Sequence, residues 1–523
     1  MSRRWNAGSK RRLAADLTRT RLPDSADAHE TVPPARPERT ALGQIRRSVP
    51  LALALLAGCA VGPRYQRPAL DTPAAYRPAR SDGRDLTAPE SLGDLDWREV
   101  MPDPQLRAYV AEALTNSWDI KAAAARVLQA EAAARAARSQ FLPAVGVGGD
   151  WATARSSQRG AAAIPRGVGP EAEQFSAYAT MASYELDLWG RIRRANQAAR
   201  ARLLATEAAR QTVLQTLVAQ VATAYLSLLE LDCELEIAQN TLEASSDSLA
   251  LTTAREEGGV ASMQDVQQAR ILVATAQAAI AETHRRIEHK ENELSLLLGR
   301  NPESPARGEG LLRQRLGPAV PPGLPSSLIE RRPDIRAAEQ ALVAANADIG
   351  QAKAAFFPQV TLTGLYGYQA VDLSDLFTAP ARTWQFGPAV SAPVFTGGAL
   401  RANLRLARAK FDEALAQYQR TVQTAFHEVS DALIAYQRTR EFRVRQEERT
   451  EAHRGATELA NTRYEGGVTS YLEVLYNEQE LFTSELVLAQ ARLNELLSVV
   501  QLYRALGGGW QAAAPLENTF ERN

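Results

Sequence analysis

Cysteine is almost absent. Cys59 and Cys233 are the only two in 523 residues, which excludes a disulfide framework and a cysteine-rich metal site. Histidine is nearly as scarce, with five at positions 29, 284, 289, 427 and 453. The five-residue step from His284 to His289 is a poor helical spacing for a shared ligand, so a solvated helix face is expected there and no metal. An excess of one charge is missing too. Sixty Lys plus Arg balance sixty Asp plus Glu, so no overall field points to nucleic acid or a polyanionic partner. No stretch approaches the run of about 18 apolar residues that a membrane-spanning helix needs. Groupings that carry catalysis are also lacking: no ordered Ser, His and Asp with supporting motifs, no phosphate-cradling loop before a helix, no paired His with a carboxylate. No enzyme is expected.

One short apolar stretch, Val49 to Ala57, follows Arg46 and Arg47 and ends in Leu56-Ala57-Gly58-Cys59. Basic residues, a short apolar core and small residues before a cut describe a secretory signal. The cysteine directly after Ala57-Gly58 resembles the lipobox of bacterial lipoproteins, which implies a covalent lipid on Cys59 as first residue of the mature chain. Ala60 follows it where an aspartate would favour inner-membrane retention, so outer-membrane sorting is expected. The 45 residues before Arg46 are long for a leader and imply a mis-assigned start or an extension removed with the signal.

The chain is written twice. Asp119-Ile120, a basic residue and two alanines recur at Asp334-Ile335, and Phe141-Leu142-Pro143 recurs as Phe356-Phe357-Pro358, both 215 positions on. Arg255, Glu257, Gly258, Gly259, Val260 and Ser262 recur as Arg463, Glu465, Gly466, Gly467, Val468 and Ser470, 208 positions on, and Leu298-Gly299 recurs as Leu506-Gly507 at the same offset. The expected division is 1–58 extension and signal, 59–102 an N-terminal segment, 103–302 the first repeat, 303–326 a linker, 327–510 the second repeat and 511–523 a tail.

Each copy orders its elements alike. A first helix is expected at about 106–140 and again at 327–356, the second opening on Pro333 and Asp334, which suit a first turn. Proline closes each (Pro143, Pro358) and a strand pair follows. Val360, Leu362, Tyr366 and Tyr368 alternate with Gln359, Thr361 and Thr363; Trp384, Phe386, Val390 and Val394 share a face of the partner strand. In the first copy Val145, Val147 and Trp151 alternate with Gly146, Gly148 and Asp150, and Tyr178, Ala182, Tyr184 and Leu186 line up opposite. Segments of about ten residues with such alternation suit membrane β-strands, and equally a soluble hairpin.

Two very long helices follow, at about 191–256 and 400–465. Neither contains proline, and Gly455 is the one glycine between them. At 1.5 Å per residue each spans about 100 Å. Leu214, Val221, Leu228, Leu235, Leu242 and Leu249 recur every seven, as in a coiled coil, with Cys233 a small packed side chain among them. Gly258-Gly259 and Gly466-Gly467 offer the positive backbone dihedral a helix end needs. Ser262 with Asp265, and Ser470 with Glu473, are spaced as capping boxes for returning helices that run to about Leu298 and Leu506.

Helices this long cannot wrap a conventional core, and four strands cannot close a barrel, because open edges are not tolerated in lipid. A dimer's eight strands leave no lumen, so a trimer with twelve is the smallest assembly with a conduit. The expected fold class is therefore an α+β membrane protein: a trimeric 12-stranded β-barrel, four strands per chain, continuous with a long α-helical coiled-coil barrel built from two internal repeats.

At Leu328-Ile329-Glu330-Arg331-Arg332-Pro333-Asp334-Ile335, Ala354-Ala355-Phe356-Phe357-Pro358, Tyr464-Glu465-Gly466-Gly467-Val468 with Leu472-Glu473-Val474-Leu475, and Ala505-Leu506-Gly507-Gly508-Gly509-Trp510, the sequence resembles the TolC-like outer-membrane efflux proteins. Within them it is similar to the NodT-type lipoprotein branch that works with resistance-nodulation-division pumps. That resemblance covers nearly all of Cys59 to Trp510. It implies a passive homotrimeric duct in outer-membrane lipid, reaching across the periplasm to a membrane-fusion adaptor and an inner-membrane pump. Loops at about 156–174 and 371–382 would face outside, and segments 59–94 and 301–325 would wrap the equator. A duct for protein secretion and a pore-free structural periplasmic lipoprotein are the competing readings.

By the same resemblance the Gly-Gly turns form periplasmic tips that narrow to an iris. Gly258, Gly259, Val260, Asp265, Gly466, Gly467 and Val468 would dock the adaptor, or serve the turns alone. Leu472, Glu473 and Tyr476 would form the gate. Three copies of Glu473 make a carboxylate ring, or Glu473 completes the box with Ser470; one residue can do both. Relatives often carry aspartate where Tyr476 stands, so this gate rests more on bulk. Trp384 and Tyr366 belong to an interfacial girdle or to ordinary barrel packing.

Overall fold

The computed structural model describes residues 60–70, 72–73, 76, 91–157, 159, 169–315 and 325–510. Cys59, the signal segment before it, and the tail from 511 lie outside the described residues.

Each repeat opens on two helices where one was expected. In the first, α1 (Pro104–Asn116) and α2 (Trp118–Ser139) are separated by Ser117. In the second, α5 (Pro325–Arg331) and α6 (Pro333–Ala354) are separated by Arg332. The breaks are 215 positions apart, and both residues are extended, with ψ of 134° and 124°. Pro333 accounts for the second break, since proline disfavours the helical region for the residue before it. Ser117 has no such neighbour; burial of Ile120 immediately beyond it, as of Ile335 beyond Arg332, fixes the turn from tertiary packing.

The strands β1 (Gly146–Arg155), β2 (Glu171–Leu186), β3 (Gln359–Ala370) and β4 (Arg382–Ser391) form one antiparallel sheet in the order β1-β2-β3-β4. The two repeats are thus joined through β2 and β3. Strand β2 starts at Glu171, so the first loop ends at residue 170 and not at 174 as expected.

Register fixes the faces. Trp151 lies opposite Phe175 and Tyr366 opposite Trp384, and these residues share one side with Tyr368, Phe386 and Val390. The other side carries Asp150, Ser176, Gln369, Thr383 and Gln385. One face is therefore apolar and aromatic and the other polar. A β-bulge between Met181 and Tyr184 corrects one expectation: Tyr178 sits on the polar face opposite Gly148, while Tyr184 and Leu186 lie on the apolar one. An extra residue in a strand reverses the alternation beyond it, and sequence parity alone had put all three together.

Helices α3 (Arg191–Glu257) and α7 (Ala399–Glu465) are 67 residues each, and α4 (Met263–Leu298) and α8 (Tyr471–Ala505) return along them. One stretch of α3 is apolar and long enough to cross a membrane by composition, contrary to expectation, but most of it is buried inside the chain. It contributes Leu214, Val221 and Leu228 to a main core with Trp97, Tyr109 and Leu496. There Asp103 accepts hydrogen bonds from the Tyr225 hydroxyl (3.1 Å) and from Gln314 Nε2 (2.5 Å), so the segments before α1 and after α4 are stitched to mid-height of the long helices.

Candidate functional site

Both helical hairpins turn alike. Gly258 and Gly466 remain right-handed, and only the second glycine of each pair, Gly259 (φ 78°) and Gly467 (φ 73°), takes the left-handed conformation. The Val260 N–H donates to the Arg255 carbonyl and the Val468 N–H to the Arg463 carbonyl, both at 2.9 Å, which closes a Schellman motif at each tip. A side chain at Gly259 or Gly467 would meet nothing within 4 Å, so these glycines serve the backbone and leave the tips open to a partner.

The two returning helices are capped differently. Asp265 accepts from the Ser262 N–H at 3.0 Å and the Ser262 hydroxyl oxygen accepts from the Asp265 N–H at 3.2 Å, a complete capping box. At the second tip Ser470 makes no side-chain cap. Glu473 instead takes a hydrogen bond from Thr469 and an ion pair from Arg463 Nη1 at 3.1 Å, correcting the capping reading of that residue. The competition is local: Thr469 and Arg463 both reach the carboxylate that the spacing assigned to Ser470.

Leu472 and Tyr476 share one face of α8, one turn apart, and are 59% and 63% exposed in the single chain. Val260 and Val468 are 77% and 72% exposed at the tips. Four large apolar side chains facing water at one end of the molecule mark an interaction or closure surface.

Two residues at this end were missed in the sequence. Arg255, at the end of α3, donates to the carbonyls of Tyr464 (2.8 Å) and Glu465 (2.9 Å) at the end of α7, and its guanidinium lies 4.5 Å from the centre of the Tyr464 ring. It ties the two tips together. The repeat motif displayed Arg255 and Arg463 as equivalents, and nothing in it signalled that one bridges the hairpins while the other holds Glu473. Glu478 lies buried in the α7–α8 seam, where burial pushes its carboxyl up to about 7, against the pull of a hydrogen bond with Asn461.

The opposite end is organised by the repeated Phe-x-Pro motifs. Trp189 stacks on Phe357 and its indole donates to the Pro358 carbonyl at 2.7 Å, while the Tyr184 hydroxyl donates to the Phe141 carbonyl at 3.1 Å. The segment that starts at Ala60 lies here. The Val61 N–H donates to the Trp189 carbonyl at 3.0 Å, and Gly62, at φ 115°, crosses directly over Gly350, so that a side chain on Gly62 would strike the Gly350 backbone. Residues 60–67 then run down α6, and Arg67 pairs with Glu339 of α6 and Glu330 of α5.

A sheet with two unpaired edges and one apolar face, continuous with paired helices of about 100 Å, defines one subunit of an oligomeric membrane-embedded duct. Residues 109–300 and 324–508 match the outer membrane efflux protein family. The solvent efflux pump outer membrane protein SrpC of Pseudomonas putida is 38% identical over 474 residues, covering 89% of this chain and 99% of that one. The outer membrane protein OprJ of Pseudomonas aeruginosa is 36% identical, covering 89% and 96%. The open state of the MtrE outer membrane channel of Neisseria gonorrhoeae superposes with a TM-score of 0.78 at 30% identity, covering 86% of this chain and 99% of that one. The chain belongs to the outer membrane efflux protein family.

Proposed function

We propose that three copies of this chain form the outer-membrane channel of a tripartite efflux system. The sheet carries the argument. Among the described residues, strands β1 and β4 each lack a partner on one side, which lipid does not permit, and three four-stranded sheets close a ring of twelve whose polar face encloses water. The helices below it extend the conduit through the periplasm. Its tips would receive a membrane-fusion adaptor at Gly258, Gly259, Val260, Asp265, Gly466, Gly467 and Val468, and the energy comes from a resistance-nodulation-division pump in the inner membrane. Leu472 and Tyr476, with Glu473 beside them, would narrow the entrance; the exposure of both side chains in the single chain supports that role.

Single-channel conductance of the purified, lipid-reconstituted protein tests this. Small, rarely open channels in the wild type, turning large and steady in Leu472→Ser with Tyr476→Ala, are expected. Folded trimers that insert yet do not conduct in either form would leave a structural lipoprotein in place of the duct.

A lipid on Cys59 belongs to the same proposal, with no other cofactor. Its support is the position of Ala60 and Val61 at the junction of β2 and α3, where an acyl chain one residue earlier can enter the membrane leaflet next to the barrel. Mass spectrometry of the mature N-terminus is expected to show an acylated cysteine that disappears in Cys59→Ser; an unmodified or uncleaved wild-type terminus would refute it.

A further inference from the structure

On one side of the wall, α3 and α6 form a groove, with Arg64 and Tyr65 of the N-terminal segment lying along it. Arg194, Gln197 and Arg200 of α3 line it against Val343 and Asn346 of α6, and Arg194 packs across Gly350, which has no side chain to obstruct it. The second repeat carries the same wall 208 residues on, in register because Gly190 and Gly398 start both long helices from left-handed caps. Ala402, Arg405 and Arg408 of α7 therefore stand where Arg194, Gln197 and Arg200 stand on α3.

On α7, however, the groove has only one wall. It is lined by Arg401, Leu404, Arg405 and Arg408, with no residue of any other element. Among the described residues none of these three arginines has an ion-pair partner. Leu406 occupies the position of Ala198, which is wholly buried in the first repeat, yet Leu406 is 54% exposed. Along the wall α2 packs on α3, α3 on α6 and α6 on α7. The helix equivalent to α6 is α2, 215 residues earlier, so its counterparts of Val343, Asn346 and Gly350 are Leu128, Glu131 and Arg135.

We propose that α2 of one copy closes the half-groove on α7 of the next, seating Glu131 between the neighbouring copy's Arg405 and Arg408. Three features of the sequence fit this seam. A carboxylate meets two unpaired guanidinium groups. The bulk is exchanged between sides: within one chain Arg194 lies over Gly350, and across the seam Ala402 lies opposite Arg135. The exposed Leu128, at 42%, and Leu406 are both covered. In the single chain Glu131 holds only Arg135, one turn along its own exposed helix face at 2.5 Å, a pairing of little strength in water and readily extended to a second partner. This assignment rests on the trimeric reading above and adds which faces meet and through which charges.

Cross-linking the full-length protein tests it. In a Cys233→Ala background, Glu131→Cys combined with Arg405→Cys, or with Arg408→Cys, is expected to give covalent dimers and trimers with a short bifunctional maleimide, and each single cysteine none. Within one chain α3 and α6 separate the two positions, so a ladder reports contact between copies. Glu131→Arg is further expected to lower the melting temperature of the trimer, with recovery when Arg405→Glu and Arg408→Glu are added. A native-mass trimer that conducts normally but gives no ladder with either pair overturns this seam and leaves the duct intact. A wild type that is monomeric in native mass overturns both.

Discussion

Replacing Arg332 with leucine is expected to destabilise the folded protein by about 3 kcal/mol per chain, the lower end of what breaking a buried ion pair costs. Arg332 sits in the break between α5 and α6, only 9% of its side chain exposed. It donates to both oxygens of Asp334 (3.0 and 2.6 Å), to Glu428 of α7 (2.6 Å) and to the Ala505 carbonyl at the end of α8 (3.1 Å). Burial works against its charge, but Asp334 and Glu428 outweigh burial and hold the group more firmly protonated than usual. Leucine fills the space and leaves two carboxylates and a carbonyl without their donor. Both carboxylates retain some contact with water, which is why the lower figure applies. Lysine keeps the charge but has no planar fork to serve three acceptors, so Arg332→Lys should fall between. Thermal denaturation of the purified protein reads the effect, and a leucine variant that melts with the wild type would refute it.

Removing the side chain of Arg255 is expected to open the channel. One partly buried charge-assisted hydrogen bond contributes about 1.5 kcal/mol, and the guanidinium over the Tyr464 ring adds about 0.5 kcal/mol, the lower figure because Arg255 keeps contact with water. Together these bias each chain toward the joined-tip state by about thirty-fold. Arg255→Ala should therefore lengthen open dwell times in single-channel records without altering the conductance of the fully open level. Arg463→Ala provides the contrast. Its residue occupies the equivalent place in the second repeat but holds Glu473 in an exposed pair, which contributes little, so gating should change far less. Equal effects of the two substitutions would mean that the α3–α7 tie is not what holds the tips.

Much of this architecture was legible because it rests on local rules repeated over long distances. A 67-residue helix without proline, closed by a glycine that turns left-handed, follows from backbone sterics alone, and the chain states it twice. The capping box at Ser262 and Asp265 is equally local. What escaped the sequence depends on which of several possible neighbours a side chain meets, some distant in the chain and some close by. The bulge that turns Tyr178 to the polar face is set by pairing with β3, almost 200 residues away. The break at Ser117 has no proline to announce it. Glu473 abandons its expected partner because Arg463, from the preceding helix, arrives on the same side. Arg255 and Arg463 look interchangeable in the repeat and differ only in which helix end lies beside them.

The unpaired edges of β1 and β4 also govern how the protein is made. Until the ring closes, a chain carries two free rows of backbone donors and acceptors, a template for adding any other strand. Assembly of three copies then competes with open-ended edge-to-edge growth, in which every collision extends the wrong product. Faster synthesis raises both rates, but only the closed ring stops accumulating partners. The yield of channel in a cell is accordingly a matter of timing: how briefly a single copy waits, with both flanks uncovered, for the other two.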